Sequence, residues 1–377
     1  MPERVLVAMS GGVDSSLAAA LLVEQGYEVV GATMRVWPEE ICRHPAPGSR
    51  LCCSAVAIED ARRVAARLGI RHFVLDLREA FQRTVIDPFC RAYAAGRTPN
   101  PCIWCNTYVK FGALLARAQE LEARWVATGH YARVRWDDTQ GRWQLLAGVD
   151  RAKDQSYTLY GLTQEQLSRM LLPVGELTKS QTRALARRLD LPTAERPESQ
   201  EICFIVDERY PEFVRRTLGQ PPRPGPILDT AGRQVGRHHG IVNYTIGQRR
   251  RLGLSAPRPL YVVAIDAERN AVVVGGPEDL LRRRLRAVGA NLVSIPPWPG
   301  EQAFMGKIRY NMQPQACRAT LAGNDGLVVT FAQPQRAITP GQAVVLYREE
   351  LVAAGGVIEE VLPNGTAEAH ESPAGAA

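Results

Sequence analysis

The stretch that most restricts this chain is Ser10-Gly11-Gly12-Val13-Asp14-Ser15-Ser16. It follows the apolar run Val5-Leu6-Val7-Ala8 and leads into Leu17-Ala18-Ala19-Ala20-Leu21-Leu22. That order predicts a buried strand, a tight glycine turn and a helix start. Adjacent glycines let backbone N–H groups converge on one point, the hydroxyls of Ser10, Ser15 and Ser16 add donors, and a helix N-terminus favours an anion. The loop therefore reads as a phosphate site. An ordinary serine-capped turn would explain the helix start but not the whole string. Asp14 is discordant beside phosphate unless a Mg²⁺ ion lies between its carboxylate and the phosphates. The Gly-Lys-Ser/Thr ending of a Walker loop and the GxGxxG pattern are both missing, so γ-phosphoryl transfer and dinucleotide binding fit poorly.

The strand–helix rhythm continues. Leu17 to Gln25 predicts a helix, Tyr27 to Met34 a strand, Ala55 to Leu68 a helix, Arg71 to Leu77 a strand, Phe81 to Ala94 a helix and Arg124 to Thr128 a strand. Alternation of this kind specifies an α/β, doubly wound parallel sheet, whose ligands bind beyond the carboxyl ends of the strands. That rule puts the Ser10 loop, Met34 and Gly129-His130-Tyr131 on one rim. Trp143 to Ala147 predicts a short strand, and Thr163 to Met170 and Lys179 to Leu189 predict helices. The first domain is expected to span residues 1–208. A proline- and arginine-rich stretch marks a small central domain over 209–280. Short alternating runs such as Gly306 to Tyr310, Leu327 to Phe331 and Ala343 to Tyr347 predict a β-barrel over 281–363. Residues 364–377 are small and polar and are expected to be disordered.

The 377 residues carry a net charge of +7, supplied almost entirely by arginine, including Arg249 to Arg251 and Arg282 to Arg284. Arginine suits phosphate, so an anionic partner is expected, although a solvated surface would look the same. No apolar run approaches the ~20 residues of a membrane span, and the start lacks a signal peptide, so the expected location is the cytoplasm. In that compartment the eight cysteines are expected to be mostly reduced. Cys102 and Cys105 form a CxxC in a proline-stiffened loop just before a helix, where a helix N-terminus would lower a thiol's pKa. Cys203 is a distant third. Alone, the CxxC is open to zinc binding, redox exchange or packing. Cys42, Cys52 and Cys53 have no clear partner, while Cys90 and Cys317 read as core residues. His130 reads equally as a structural or a site residue.

The SGGxDS string resembles the pyrophosphate loop of ATP pyrophosphatases, which adenylate a substrate oxygen and release pyrophosphate. The strings SGGVDSS, NPCIWCN followed by VKF, ATGHYAR, KDQSYTLY, EICFI, HHGIVNYTIGQRRRLG and TPGQAVVLY appear in this order. Together they resemble the bacterial tRNA-specific 2-thiouridylase family from about Arg4 to Leu362. The resemblance implies an adenine-nucleotide hydrolase-like domain, a small central domain and a C-terminal β-barrel that grips tRNA. The implied activity is that of a tRNA-uridine 2-sulfurtransferase, acting on the wobble uridine of the tRNAs for lysine, glutamate and glutamine. ATP with Mg²⁺ would be held by Ala8, Met9, Ser10, Gly11, Gly12, Val13, Asp14, Ser15, Met34 and Gly129. Asn100, Pro101 and Cys102 would lie near the target base, and Lys153, Asp154, Gln155, Arg309 and Tyr310 would contact tRNA. Cys105 would be the nucleophile and Cys203 the persulfide carrier, with sulfur supplied by a cysteine desulfurase or a sulfur-relay protein.

Many members of that family carry aspartate where this chain has Cys102. The third thiol opens a second route, in which Cys102, Cys105 and Cys203 hold a [4Fe–4S] cluster whose remaining iron carries sulfide. Two other classes share the loop. An amide-forming ligase would not need Cys105 and Cys203, and an ATP-gated RNA-binding module would release no pyrophosphate.

Overall fold

The computed structural model describes residues 2–37, 55–197, 203–205 and 210–363. The chain opens with β1 (Arg4–Ala8), turns through Ser10 to Gly12 and enters α1 (Val13–Glu24). Strand β2 (Glu28–Arg35), helix α2 (Ala55–Leu68) and strand β3 (Arg71–Asp76) follow. Helix α3 (Arg78–Phe81) continues through a π-helical stretch, Gln82–Ile86, into α4 (Asp87–Ala94). A second run of this kind joins α5 (Pro101–Trp104), the π-helical stretch Cys105–Ala113 and α6 (Leu114–Glu120). Next come β4 (Trp125–Ala127), the hairpin of β5 (Ala132–Asp137) and β6 (Arg142–Ala147), α7 (Gln164–Leu167), β7 (Met170–Leu171) and α8 (Lys179–Arg188).

Strands β3-β2-β1-β4-β7 form one parallel sheet in that spatial order. Val5, Leu6 and Val7 of β1 have no exposed surface, as expected of a central strand covered on both faces. The chain goes from β1 to β2 on one side and returns to β4 on the other, so strand order reverses beside β1. The crevice at such a switch point is where doubly wound sheets bind ligands. The Ser10 loop leaves β1 there, and Gly129 leaves β4.

Helix α9 (Tyr210–Leu218) precedes a four-stranded sheet of β8 (Gly225–Asp229), β9 (Gln234–His238), β10 (Tyr261–Asp266) and β11 (Ala271–Gly275). Its order is β10-β11-β8-β9. Six further strands, β12 (Leu281–Asn291), β13 (Gln302–Lys307), β14 (Gln315–Ala322), β15 (Gly326–Arg336), β16 (Ala343–Arg348) and β17 (Leu351–Leu362), close into a barrel. Pairing of β12 with both β15 and β17 makes the closure. The β5–β6 hairpin extends this sheet, with Leu146 opposite Leu351.

Several elements differ from the sequence reading. The helix expected from about Tyr108 starts at Pro101, because Asn100 caps it: its side chain accepts from the Cys102 N–H at 3.1 Å. Proline is well placed at such a first helical position. The expected helix over Thr163 to Met170 shrinks to one turn, and β7 takes its end. Strand β13 stops at Lys307, so Arg309 and Tyr310 lie in the following turn. Cys42, Cys52, Cys53, Ser199 to Ile202 and the terminal segment 364–377 lie outside the described residues. Among the described residues, no helix is long and apolar enough to cross a membrane.

Candidate active site

The Ser10–Ser16 loop is closed on itself by its own hydroxyls. Ser15 Oγ accepts from the Ser10 N–H at 3.2 Å and donates to Gly12 O at 3.2 Å, while Ser16 Oγ donates to Gly12 O at 2.8 Å. Gly12, the N-cap of α1, has no side chain to occupy the helix end. Gly11 has φ +69°, and a Cβ there would lie 2.3 Å from Ala57 O, so only glycine fits this turn against α2. Gly129 is held as tightly: a Cβ would come within 2.6 Å of Asp14 C and Ser15 N. Met9 lies buried behind the loop, bonded through its N–H to Ala32 O and through its carbonyl to Thr33 Oγ1 at 2.7 Å. Ala8 ends β1, Val13 opens α1, and Met34 lies half-buried near the end of β2.

Asp14 has a partner that the sequence did not reveal. Lys179 Nζ lies 2.7 and 2.8 Å from its two carboxylate oxygens, and the Tyr131 hydroxyl donates to Asp14 Oδ1 at 2.8 Å. The Lys179 ammonium also sits 5.6 Å from the Tyr131 ring centroid. Thr178 caps α8 and fixes the helix from which Lys179 extends. The discordance of a carboxylate in a phosphate loop is thus relieved by a lysine. Because Lys179 engages both oxygens, Asp14 as arranged is not an open Mg²⁺ ligand.

The cysteine helix meets the same rim through Lys110. Its ammonium lies 3.3 Å from His130 Nε2, and His130 Nδ1 lies 2.7 Å from Thr128 Oγ1. An ammonium only donates, so Nε2 accepts and Nδ1 carries the proton toward Thr128. Burial, reinforced by Lys110, holds His130 well below its ordinary range and keeps it neutral. In the π-helical i→i+5 register, the Lys110 N–H pairs with the Cys105 carbonyl one turn back. Lys110 therefore spans from the turn that starts at Cys105 to the residue after Gly129.

Cys102 is exposed; desolvation raises its thiol, with Lys110 pulling the other way. The lowering expected from a helix N-terminus is outweighed by this desolvation. Cys105 and Cys203 are partly buried and pack against one common core. Next to Cys203, Phe204 is clamped by Phe89 at 4.9 Å, Phe213 at 5.5 Å and Phe81 at 5.9 Å between ring centroids. Among the described residues, no three His, Cys, Asp or Glu side chains come together as a metal-holding group.

The Asp150–Gln155 turn and the Arg309–Tyr310 turn converge at the junction with the barrel. Asp154 accepts from the N–H groups of Gly148 and Ser156 and from Ser156 Oγ at 3.0–3.1 Å. Tyr310 packs 6.2 Å from Tyr157, and the Lys307 ammonium lies 5.7 and 5.9 Å from those two rings. Arg309 donates to Ala337 O at 3.1 Å. Lys153 lies half-buried at the edge of this junction.

Three family models cover the chain: "tRNA methyl transferase HUP domain" over residues 3–207, "tRNA methyl transferase PRC-barrel domain" over 211–276 and "Aminomethyltransferase beta-barrel domain" over 282–358. Full-length relatives agree with one another in name. The tRNA-specific 2-thiouridylase MnmA of Carboxydothermus hydrogenoformans is 51% identical over 96% of this chain and 98% of its own length. The protein of that name from Symbiobacterium thermophilum is 52% identical over 96% of this chain and 93% of its own, and that of Moorella thermoacetica 52% identical over 94% and 99%. With a domain model over more than half its length and near full-length relatives at this identity, the chain belongs to the tRNA-specific 2-thiouridylase family.

Proposed function

We propose that this protein uses ATP to convert the wobble uridine of the tRNAs for lysine, glutamate and glutamine into 2-thiouridine. The relatives that match the whole chain carry the thiouridylase name, and the reading follows them rather than the methyl transfer in the domain descriptions. The observation that carries it is Lys110, which joins the cysteine helix to His130, beside the glycine that touches Asp14 and Ser15. Sulfur chemistry and adenylation chemistry then face one crevice.

Residues Ala8 to Ser15, with Met34 and Gly129, hold ATP, whose phosphates meet the α1 N-terminus and the Ser10 and Ser15 hydroxyls. Mg²⁺ would accompany the phosphates as counter-ion. The uridine O2 attacks the α-phosphorus and pyrophosphate leaves, which makes the C2–O2 bond labile. A persulfide on Cys203 attacks C2 through its outer sulfur, and AMP departs with O2. The Cys105 thiolate then attacks Cys203 Sγ, leaving a Cys105–Cys203 disulfide and the thiocarbonyl, and an external thiol reduces the disulfide. Asn100, Pro101 and Cys102 border the base. Lys153, Asp154, Gln155, Arg309 and Tyr310 contact the tRNA, and Arg249 and Arg251, beside a cleft of about 390 Å³, offer charge to its phosphates. A cysteine desulfurase or relay protein loads the persulfide, in the cytoplasm where tRNA and ATP are found.

The test is thiolation of unmodified tRNA by anaerobically purified protein, with iron measured on the same sample. Cys105→Ser and Cys203→Ser should each abolish 2-thiouridine, while Cys317→Ser should leave it nearly intact. Survival of activity in the first two would overturn the cysteine assignment. About four irons per chain with iron-dependent activity would replace the persulfide route with a [4Fe–4S] route on Cys102, Cys105 and Cys203.

A further inference from the structure

Two hydrogen-bonded routes lead from the Asp150–Gln155 turn to Asp14 in the ATP loop, and both end on the same carboxylate. On the first, Asp150 Oδ2 accepts from the Lys179 backbone N–H at 2.9 Å, and Lys179 Nζ grips both Asp14 oxygens. Asp150 also ties its own turn, accepting from the Ala152 N–H at 3.1 Å through Oδ1. On the second, Gln155 and Tyr131 bond reciprocally: Gln155 Oε1 accepts from the Tyr131 N–H at 3.0 Å, and the Gln155 N–H donates to Tyr131 O at 2.8 Å. The Tyr131 hydroxyl then donates to Asp14 Oδ1. It lies 3.0 Å from Thr182 Oγ1 of α8, so the two routes also brace each other. Tyr131 is 3% exposed and the Lys179 side chain 12%, so both run through protein rather than solvent.

We propose that Tyr131 and Lys179 are positioning residues which couple the two substrates, so that tRNA on the Asp150–Gln155 turn and ATP on the Ser10–Ser15 loop tighten each other's binding. This rests on the reading above that the turn contacts tRNA. The sign follows from charge. A bare Asp14 carboxylate would repel a polyphosphate, and Lys179 neutralises it while Tyr131 holds its orientation. Whatever fixes Asp150 and Gln155 therefore favours the arrangement that accepts phosphate. Coupling of binding free energies is reciprocal, so ATP must tighten tRNA by the same factor.

The experiment measures the affinity of α,β-methylene-ATP, which cannot release pyrophosphate, with and without saturating unmodified tRNA. The wild type, Tyr131→Phe, Asp150→Asn and the double variant are compared, each substitution preserving side-chain shape. In the wild type tRNA should tighten the analogue about fivefold or more, and in the double variant the ratio should fall to within about twofold of unity. A merely structural role would weaken the analogue equally with and without tRNA and leave the ratio at its wild-type value; that result, or a wild-type ratio near one, overturns the proposal. Lys153→Ala separates the two claims. If it leaves tRNA affinity unchanged, the turn does not contact tRNA and both the functional reading of the turn and the coupling fall. If it weakens tRNA binding while the wild-type ratio is near one, the coupling alone fails.

Discussion

His130 and Lys110 show how a single side chain can be assigned by its neighbours rather than its type. A histidine after a strand reads equally as structural or reactive; the ammonium at Nε2 and the hydroxyl at Nδ1 leave it one tautomer and no charge. Because its folded pKa is depressed, the unfolded chain binds more protons below the ordinary histidine value near 6.5. Stability tied to His130 is therefore full above that pH and is lost as pH falls through the window beneath it. Melting temperatures at pH 7 and pH 5 should show a larger drop for the wild type than for His130→Gln; equal drops would contradict the assignment. The thiols are separable on the same footing. Cys90 is fully buried and pushed up to about 11, and Cys317, 4% exposed, to about 12. Peptide mapping after brief alkylation of native protein should find Cys102 modified and Cys90 and Cys317 protected.

At the scale of elements, the strand–loop–helix start was legible because a buried apolar run, two glycines and a serine-rich helix start all specify the same turn. The cysteine helix starts earlier than the closely spaced prolines suggest, because asparagine followed by proline is also an N-cap and a first helical residue. The π-helical register of Cys105–Ala113 is a slip in hydrogen bonding that side-chain periodicity does not record. Strand β7, at two residues, is too short to carry a pattern. Gly129 is where two elements touch, so it offers the sharpest test of their fit. Gly129→Ala should force the β4 exit away from α1, cost about 1–3 kcal/mol of stability and weaken ATP binding at least about tenfold. Equilibrium dialysis with ATP and a denaturant melt measure the two effects, and unchanged ATP affinity would mean that the crevice lies elsewhere.

Across the whole molecule, the barrel braces the cysteine segment. The Thr98 N–H donates to Pro340 O at 3.0 Å, and Gln342 Nε2 donates to Thr98 O at 2.9 Å. The TPGQ string thus serves a segment more than two hundred residues upstream, just as Lys179 serves Asp14. Neither partnership leaves a local trace in the sequence, because each is made by topology rather than spacing. Gln342→Ala should lower thiolation several-fold while leaving ATP affinity within about twofold, since the bond it removes holds the cysteine segment and not the nucleotide loop. Parallel ATP-binding and thiolation assays would reveal this split. On the proposed mechanism, adenylation and sulfur transfer occur on one uridine in one crevice. The direct measurement is a product balance on unmodified tRNA with ATP and a persulfide donor. Pyrophosphate, AMP and 2-thiouridine should appear in equal amounts, with none of the three formed when tRNA is withheld. Thiolation without AMP, or pyrophosphate release independent of tRNA, would contradict it.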